Sequence, residues 1–238
     1  MCKTREIRTA VDFSGAIFNQ LYEITDHAAP DFLNTNTMSN TADTLKFLLF
    51  MGKLKDTKRT GWVLRDVPEP ESIADHMYRM AIMAMIIGNH TDAAVDKDKC
   101  IRMSLVHDMG ECIAGDITPA CGISKEEKFK REQNAMHTLG HLVDSATGEE
   151  LRSLWMEYEG QDTPEARLVK DLDRFDMILQ AYDYEVQMVK PGKLQEFFDS
   201  TYGKFENSVV KEWVEELYKM RSQLLLQDTP EGPAQKAS

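Results

Sequence analysis

The sequence predicts an all-α domain. Apolar residues recur at three- and four-residue spacing from Thr41 onward, no run alternates with period two, and Ser, Thr and Pro stand where helices should begin. With 238 residues, the chain is long enough for one well-cored domain and flanking segments.

Taken in order, residues 1–40 show weak periodicity and end in the polar run NTNTMSN, so they read as an N-terminal extension with no element assigned. The domain proper is expected over 41–226. A first helix covers 41–53 and carries Leu45, Leu48 and Leu49, and a loop over 56–71 is marked by Gly61, Pro68 and Pro70. Ser72, with Asp75 three residues on, opens an apolar helix whose first turn holds His76. The next helix spans 97–112, and Gly115 and Pro119 end the turn after it. A charge-dense surface helix follows over 125–143. A shorter one over 148–160 turns Leu151, Leu154, Trp155 and Tyr158 inward. Thr163 and Pro164 start a long helix reaching about 189, which Pro191 and Gly192 stop. A last helix over 194–226 precedes a polar tail, 227–238, expected to be disordered.

Composition excludes several function classes. The formal net charge of −12 argues against a nucleic-acid binder, which needs clustered Lys and Arg. The longest apolar stretch, 80–88, falls short of the roughly 20 residues a spanning helix requires, so no membrane partner is expected. Cys2, Cys100, Cys112 and Cys121 show no CxxC spacing and read as reduced thiols. No secretory signal is evident; the cytoplasm is the expected compartment, with the nucleus left open.

The residues that carry chemistry begin with His107 and Asp108, adjacent in an apolar helix where Leu105, Val106 and Met109 require burial. An isolated His-Asp pair is more often a structural pair satisfied locally. On the long helix, however, Val169, Leu172, Asp173, Asp176 and Leu179 share one stripe, so two carboxylates interrupt a core-facing surface. Desolvating them requires a cation, supplied either by Lys170 and Arg174 or by a metal. Together His76, His107, Asp108 and Asp173 offer two imidazoles and two carboxylates from three helices, a set suited to Mn²⁺, Co²⁺, Fe²⁺ or Zn²⁺ with positions left open. His27, His90, His137 and His141 receive no role. The Met-rich stretch from Met77 reads as core packing.

The order ESIADHM, LVHDMGECIAGDITP, VKDLDRFDM resembles the HD-domain metal-dependent phosphohydrolases. The run RTGWVLRDVPEPESIADHM, with HDMGECIAGDITP and KEEK, resembles more closely the HD-domain 5′-deoxynucleotidases of the eukaryotic HD domain-containing protein 2 group, over about 41–226. The resemblance implies an HD-domain helical bundle with a divalent metal site between helices. It implies a homodimer that hydrolyses deoxyribonucleoside 5′-monophosphates to deoxynucleoside and phosphate. His76, His107, Asp108 and Asp173 would hold a divalent metal, Mn²⁺, Co²⁺ or Mg²⁺, with Zn²⁺ or Fe²⁺ as alternatives. Glu111 would orient or deprotonate water, and Asp116 would protonate the leaving 5′ oxygen. A second ion would sit with Glu111, Asp116 and the main-chain carbonyl of Ile117. Arg59 and Trp62 would contact substrate, although Thr60 and Gly61 separate them here, whereas the two are adjacent in bacterial members. The alternatives are another HD-type activity, a phosphodiesterase or triphosphohydrolase, and a nucleotide-binding regulatory module without turnover.

Overall fold

Asn40 opens the first helix by accepting hydrogen bonds from the Ala42 and Asp43 amides, giving α1, Thr41–Asp56. The structure, a computed structural model, describes residues 40–87 and 95–227. The expected N-terminal extension and C-terminal tail therefore lie outside the described residues, apart from Asn40 and Gln227. So do Cys2, His27 and His90.

The expected loop holds one helical turn, α2 (Thr60–Val63). Its ends are pinned together by an antiparallel bridge between Lys58 and Ser72, and the Arg59 amide donates to the Glu71 carbonyl. α3 (Ile73–Ile86) starts at a complete capping box, in which Ser72 and Asp75 satisfy each other's backbone amides. α4 is Lys97–Val106 and α5 is the single turn Glu111–Ala114. Then follow α6 (Lys125–Gly140), α7 (Ser145–Gly160), α8 (Pro164–Gln187), α9 (Gln195–Thr201) and α10 (Ser208–Gln227). Among the described residues there is no strand beyond the isolated bridge.

Two expectations need correction. His107 and Asp108 do not lie within a helix running to 112: α4 ends at Val106, and a tight turn leads into α5. The reason is local. Met109 donates to Val106 and Glu111 to Asp108, three-residue bonds that tighten the chain, and Gly110 passes close to the Glu132 backbone. Nor is the final helix continuous. Gly203 takes a positive φ of 71°, and buried Asp171 accepts from the amides of Glu206 and Asn207 at 2.6 and 2.7 Å. That carboxylate holds the chain in a turn between α9 and α10.

The 24-residue α8 is the axis of the bundle, packing against α3, α4, α7, α9 and α10. The core around it includes Met80, Met103, Leu139, Trp155, Leu172 and Ile178, all essentially without exposure. α6 and α7 cross so closely that a Cβ at Gly148 would collide with the Gly140 carbonyl oxygen. At the far end of α8, buried Arg221 forms a two-pronged pair with Glu185 at 2.8 and 3.0 Å, and Glu185 also accepts from the Leu194 amide. This triple junction fixes α9. Leu45, Leu48 and Leu49 of α1 face outward, while Leu54, Phe50 and Met51 turn to the core.

Candidate active site

Three elements bring the site together. The first turn of α3 supplies His76, the turn after α4 supplies His107 and Asp108, and mid-α8 supplies Asp173. His76 Nε2 lies 3.4 Å from Asp173 Oδ1 and 3.7 Å from Asp108 Oδ2, and His107 Nε2 lies 3.3 Å from the same Asp108 oxygen. The outer nitrogens are engaged: His76 Nδ1 bonds Asp176 Oδ2 at 2.7 Å and His107 Nδ1 donates to the Ser104 carbonyl at 2.9 Å. Both imidazoles are thus turned with Nε2 toward the carboxylates, and neither buried Nε2 has a hydrogen-bond partner. Orphaned buried nitrogens are costly. Two of them converging on carboxylates make a donor set of the kind that binds metal ions, and the candidate ligand atoms of His76, His107 and Asp108 lie within 4.8 Å of one another. The residues present fit a divalent ion. Asp173 is adjacent through His76, while its Oδ2 accepts from Tyr158 Oη at 2.8 Å and Lys170 Nζ at 2.9 Å.

The electrostatics follow the same geometry. Burial pushes Asp108 up, but His107 and the Arg59 guanidinium, at 2.8 Å, hold it well below the usual carboxylate range. Asp173 is likewise held low, Lys170 and His76 outweighing burial. For His76, burial and Arg59 push down, but Asp173 and Asp176 prevail and raise it to about 9. A proton there occupies the Nε2 lone pair that a metal would take.

Glu111 is not on the surface, as its spacing would allow: it is buried, its Oε1 is 3.8 Å from Lys128 Nζ and its Oε2 has no partner. Burial, then Asp108 and Asp116, lift its pKa well above normal. Asp116 Oδ2 accepts the Thr60 amide at 2.5 Å, and its backbone carbonyl accepts the Thr60 hydroxyl at 2.8 Å. Ile117 is buried next to it. Arg59 thus reaches the cluster directly. Trp62 is buried, donating Nε1 to Glu71 at 2.9 Å and packing on Phe197 and Tyr184 with ring centroids 4.4 and 5.3 Å away.

Sequence reasoning missed the supports around these groups. Asp176 was visible as the second carboxylate of the α8 stripe, but its partner was not: Arg79 binds it through Nε at 2.5 Å and reaches toward Glu71. Glu71, His76 and Asp176 also cluster as a metal site would, yet the Arg79 guanidinium already supplies the positive charge on that face. Of the two cations expected near Asp173, Lys170 serves it, whereas Arg174 turns to Asp171 and the Lys204 carbonyl. His137 and His141 sit together, 4.4 Å between ring centres, and join no candidate metal group among the described residues.

Two cavities stand out. One of about 420 Å³ lies between α6 and α7 and contains none of these ligands. The other, of about 300 Å³, begins at Arg59 and Asp116 and runs past Trp62 and Phe197 to Arg65 and Glu196. The HD domain family model matches residues 51–213. The chain belongs to the HD-domain family. Within it, this HD-domain chain is similar to the human 5′-deoxynucleotidase HDDC2, 52% identical over 178 residues, covering 75% of this chain and 86% of the relative. It is 41% identical over 182 residues to the 5′-deoxynucleotidase hdd1 of Schizosaccharomyces pombe, covering 74% and 89%. A crystal structure of a protein described as a predicted metal-dependent phosphohydrolase, from Magnetospirillum magnetotacticum, superposes with a TM-score of 0.61 at 26% identity, covering 77% and 95%.

Proposed function

We propose that the protein is a metal-dependent 5′-deoxynucleotidase, releasing phosphate from deoxyribonucleoside 5′-monophosphates. The observation that carries this reading is the pair of buried, partnerless Nε2 atoms facing Asp108 and Asp173, with a pocket of about 300 Å³ lined by Arg59, the guanidinium that pairs with Asp108. The activity named for its relatives supports it.

His76, His107, Asp108 and Asp173 would hold the ion, with Mn²⁺, Co²⁺ or Mg²⁺ the proposed metals. When bound, a divalent ion supplies Lewis-acid neutralisation of the phosphate charge. The chain's own groups do the rest. Arg59 adds a planar, permanently charged fork beside Asp108, suited to a phosphate oxygen pair. Burial, with the repulsion from Asp108 and Asp116, raises the Glu111 pKa, and positive charge in the cluster would offset that rise, leaving its carboxylate to orient and deprotonate the attacking water. Asp116, with Oδ2 committed to the Thr60 amide, has Oδ1 left to act as the acid toward the departing 5′ oxygen. A second ion at Glu111, Asp116 and the Ile117 carbonyl belongs to the same proposal, as do a homodimer and a cytoplasmic location.

The test is phosphate release from dAMP, dGMP, dCMP, dTMP and dUMP, with the ribonucleotides, a cyclic nucleotide and dGTP alongside, after chelation and metal add-back. Release confined to the deoxymonophosphates is expected. Cleavage of only the cyclic nucleotide or triphosphate moves the chain to another HD activity. Silence from folded, metal-loaded protein removes the catalytic reading.

A further inference from the structure

The 300 Å³ pocket has two chemically different ends. The inner end is charged, with Arg59, Asp116 and the metal cluster beyond them. At the outer end Arg65 and Glu196 neutralise each other, joined by two bonds of 2.7 Å, Nε to Oε1 and Nη2 to Oε2. Between them the lining is mostly apolar, with Gly61, Trp62, Pro119, Met177 and Phe197, and Thr118 and Ser200 are its polar members. A dianion is stabilised only at the inner end, whereas the outer end suits a flat, uncharged ring with a polar edge.

Phe197 is built to be a fixed wall. Its helix α9 is tied down at its N-terminal end, by the Leu194 amide on Glu185 and by Arg221 Nη1 on Gln195 at 2.7 Å. Its half-buried ring rests on Trp62, and the Arg65 guanidinium stands 5.2 Å above its centre. Gly61 belongs to the same wall, since a Cβ there would touch the Phe197 ring at 3.5 Å.

We propose that this outer chamber is the nucleobase subsite: the base packs against Phe197, and the Arg65–Glu196 pair reads its hydrogen-bonding edge. The assignment rests on the 5′-deoxynucleotidase reading and names the residues that set base preference. Arg65 retains donors beyond those given to Glu196, and Glu196, half exposed, retains acceptor capacity. A purine or pyrimidine edge that mismatches them leaves one of the two unpaired on binding.

The test compares kcat/KM for each deoxynucleotide with that for deoxyribose 5-phosphate, which has the phosphate and sugar but no base. Phe197→Leu keeps bulk and removes the flat face. It is expected to lower the nucleotide to sugar-phosphate ratio by about 5- to 150-fold, the range of a lost base–aromatic stack. Glu196→Gln, a change on an exposed helix face, is expected to reorder preference among the five bases while the protein melts as before. An unchanged ratio in Phe197→Leu together with unchanged base order in Glu196→Gln overturns the subsite. Should the wild type hydrolyse no deoxynucleotide, the functional reading falls by itself. Calorimetric titration with dAMP and dGMP then decides the pocket: weaker binding by Phe197→Leu supports it, and equal or absent binding in both proteins overturns it.

Discussion

Asp176 Oδ2 sits 2.7 Å from Nδ1 of His76, while three residues earlier on the same helix Asp173 Oδ1 faces Nε2 of the same ring. One imidazole is therefore gripped by two carboxylates of α8, the first turning the ring and the second facing the nitrogen proposed to bind metal. Asp176→Asn should loosen the orientation without removing a ligand, weakening metal affinity by about 10- to 100-fold. Asp173→Asn should abolish metal-dependent phosphate release with helicity intact. Metal titration by calorimetry, with circular dichroism as control, distinguishes the two.

A bound ion should stabilise the fold by mass action, by about 2.7 kcal/mol at a hundredfold excess over Kd. Thermal melts with Mn²⁺ and with chelator should differ accordingly. The difference should vanish in His107→Ala, which removes one of the two inward-facing nitrogens.

Glu132 governs a pH dependence. Burial lifts its carboxyl to about 7, against the pull of Lys128 at 3.3 Å. The folded state therefore holds this proton more tightly than the unfolded chain. The stability it contributes is complete below about 4.5 and is lost as pH rises through 7. In Glu132→Gln the gap in melting temperature between pH 5 and pH 8 should narrow. An unchanged gap would assign the dependence to other groups.

Arg221→Met strands Glu185, which has no exposure, and should cost about 3–5 kcal/mol in urea unfolding. Replacing both residues with apolar ones of similar size should recover most of that loss, because no charge is then left buried alone.

Two glycines should respond in opposite directions. Gly148→Ala forces α6 and α7 apart and should destabilise by about 1–3 kcal/mol. Gly52, inside α1 with open space where a Cβ would go, should gain roughly 0.5–1 kcal/mol when changed to Ala. Chemical denaturation of both variants checks the pair.

The helices were legible where one face is clearly apolar, and the cluster of His76, His107, Asp108 and Asp173 was legible because carboxylates and imidazoles stood where that face should be unbroken. What stayed hidden was set by distant partners. The break after Thr201 is marked locally by Gly203 alone, and the carboxylate that holds it, Asp171, comes from an earlier helix. Which α8 carboxylate would be the ligand and which the support turned on Arg79, a residue of another helix. In α1 the run Phe47 to Met51 is apolar on every side, so periodicity could not choose which leucines face in. Glu111 follows the ligands by a spacing that fits either surface or interior. Only packing against α6 puts it under cover.

Thr60 fastens the loop between α1 and α3 to Asp116 twice, through its amide and its hydroxyl. The segment that presents Arg59 and Trp62 and the segment that presents Asp116 therefore behave as one heritable unit. A chimaera that imports a relative's version of one, with a different number of residues between Arg and Trp, would inherit a displaced Asp116 unless it imported the other as well.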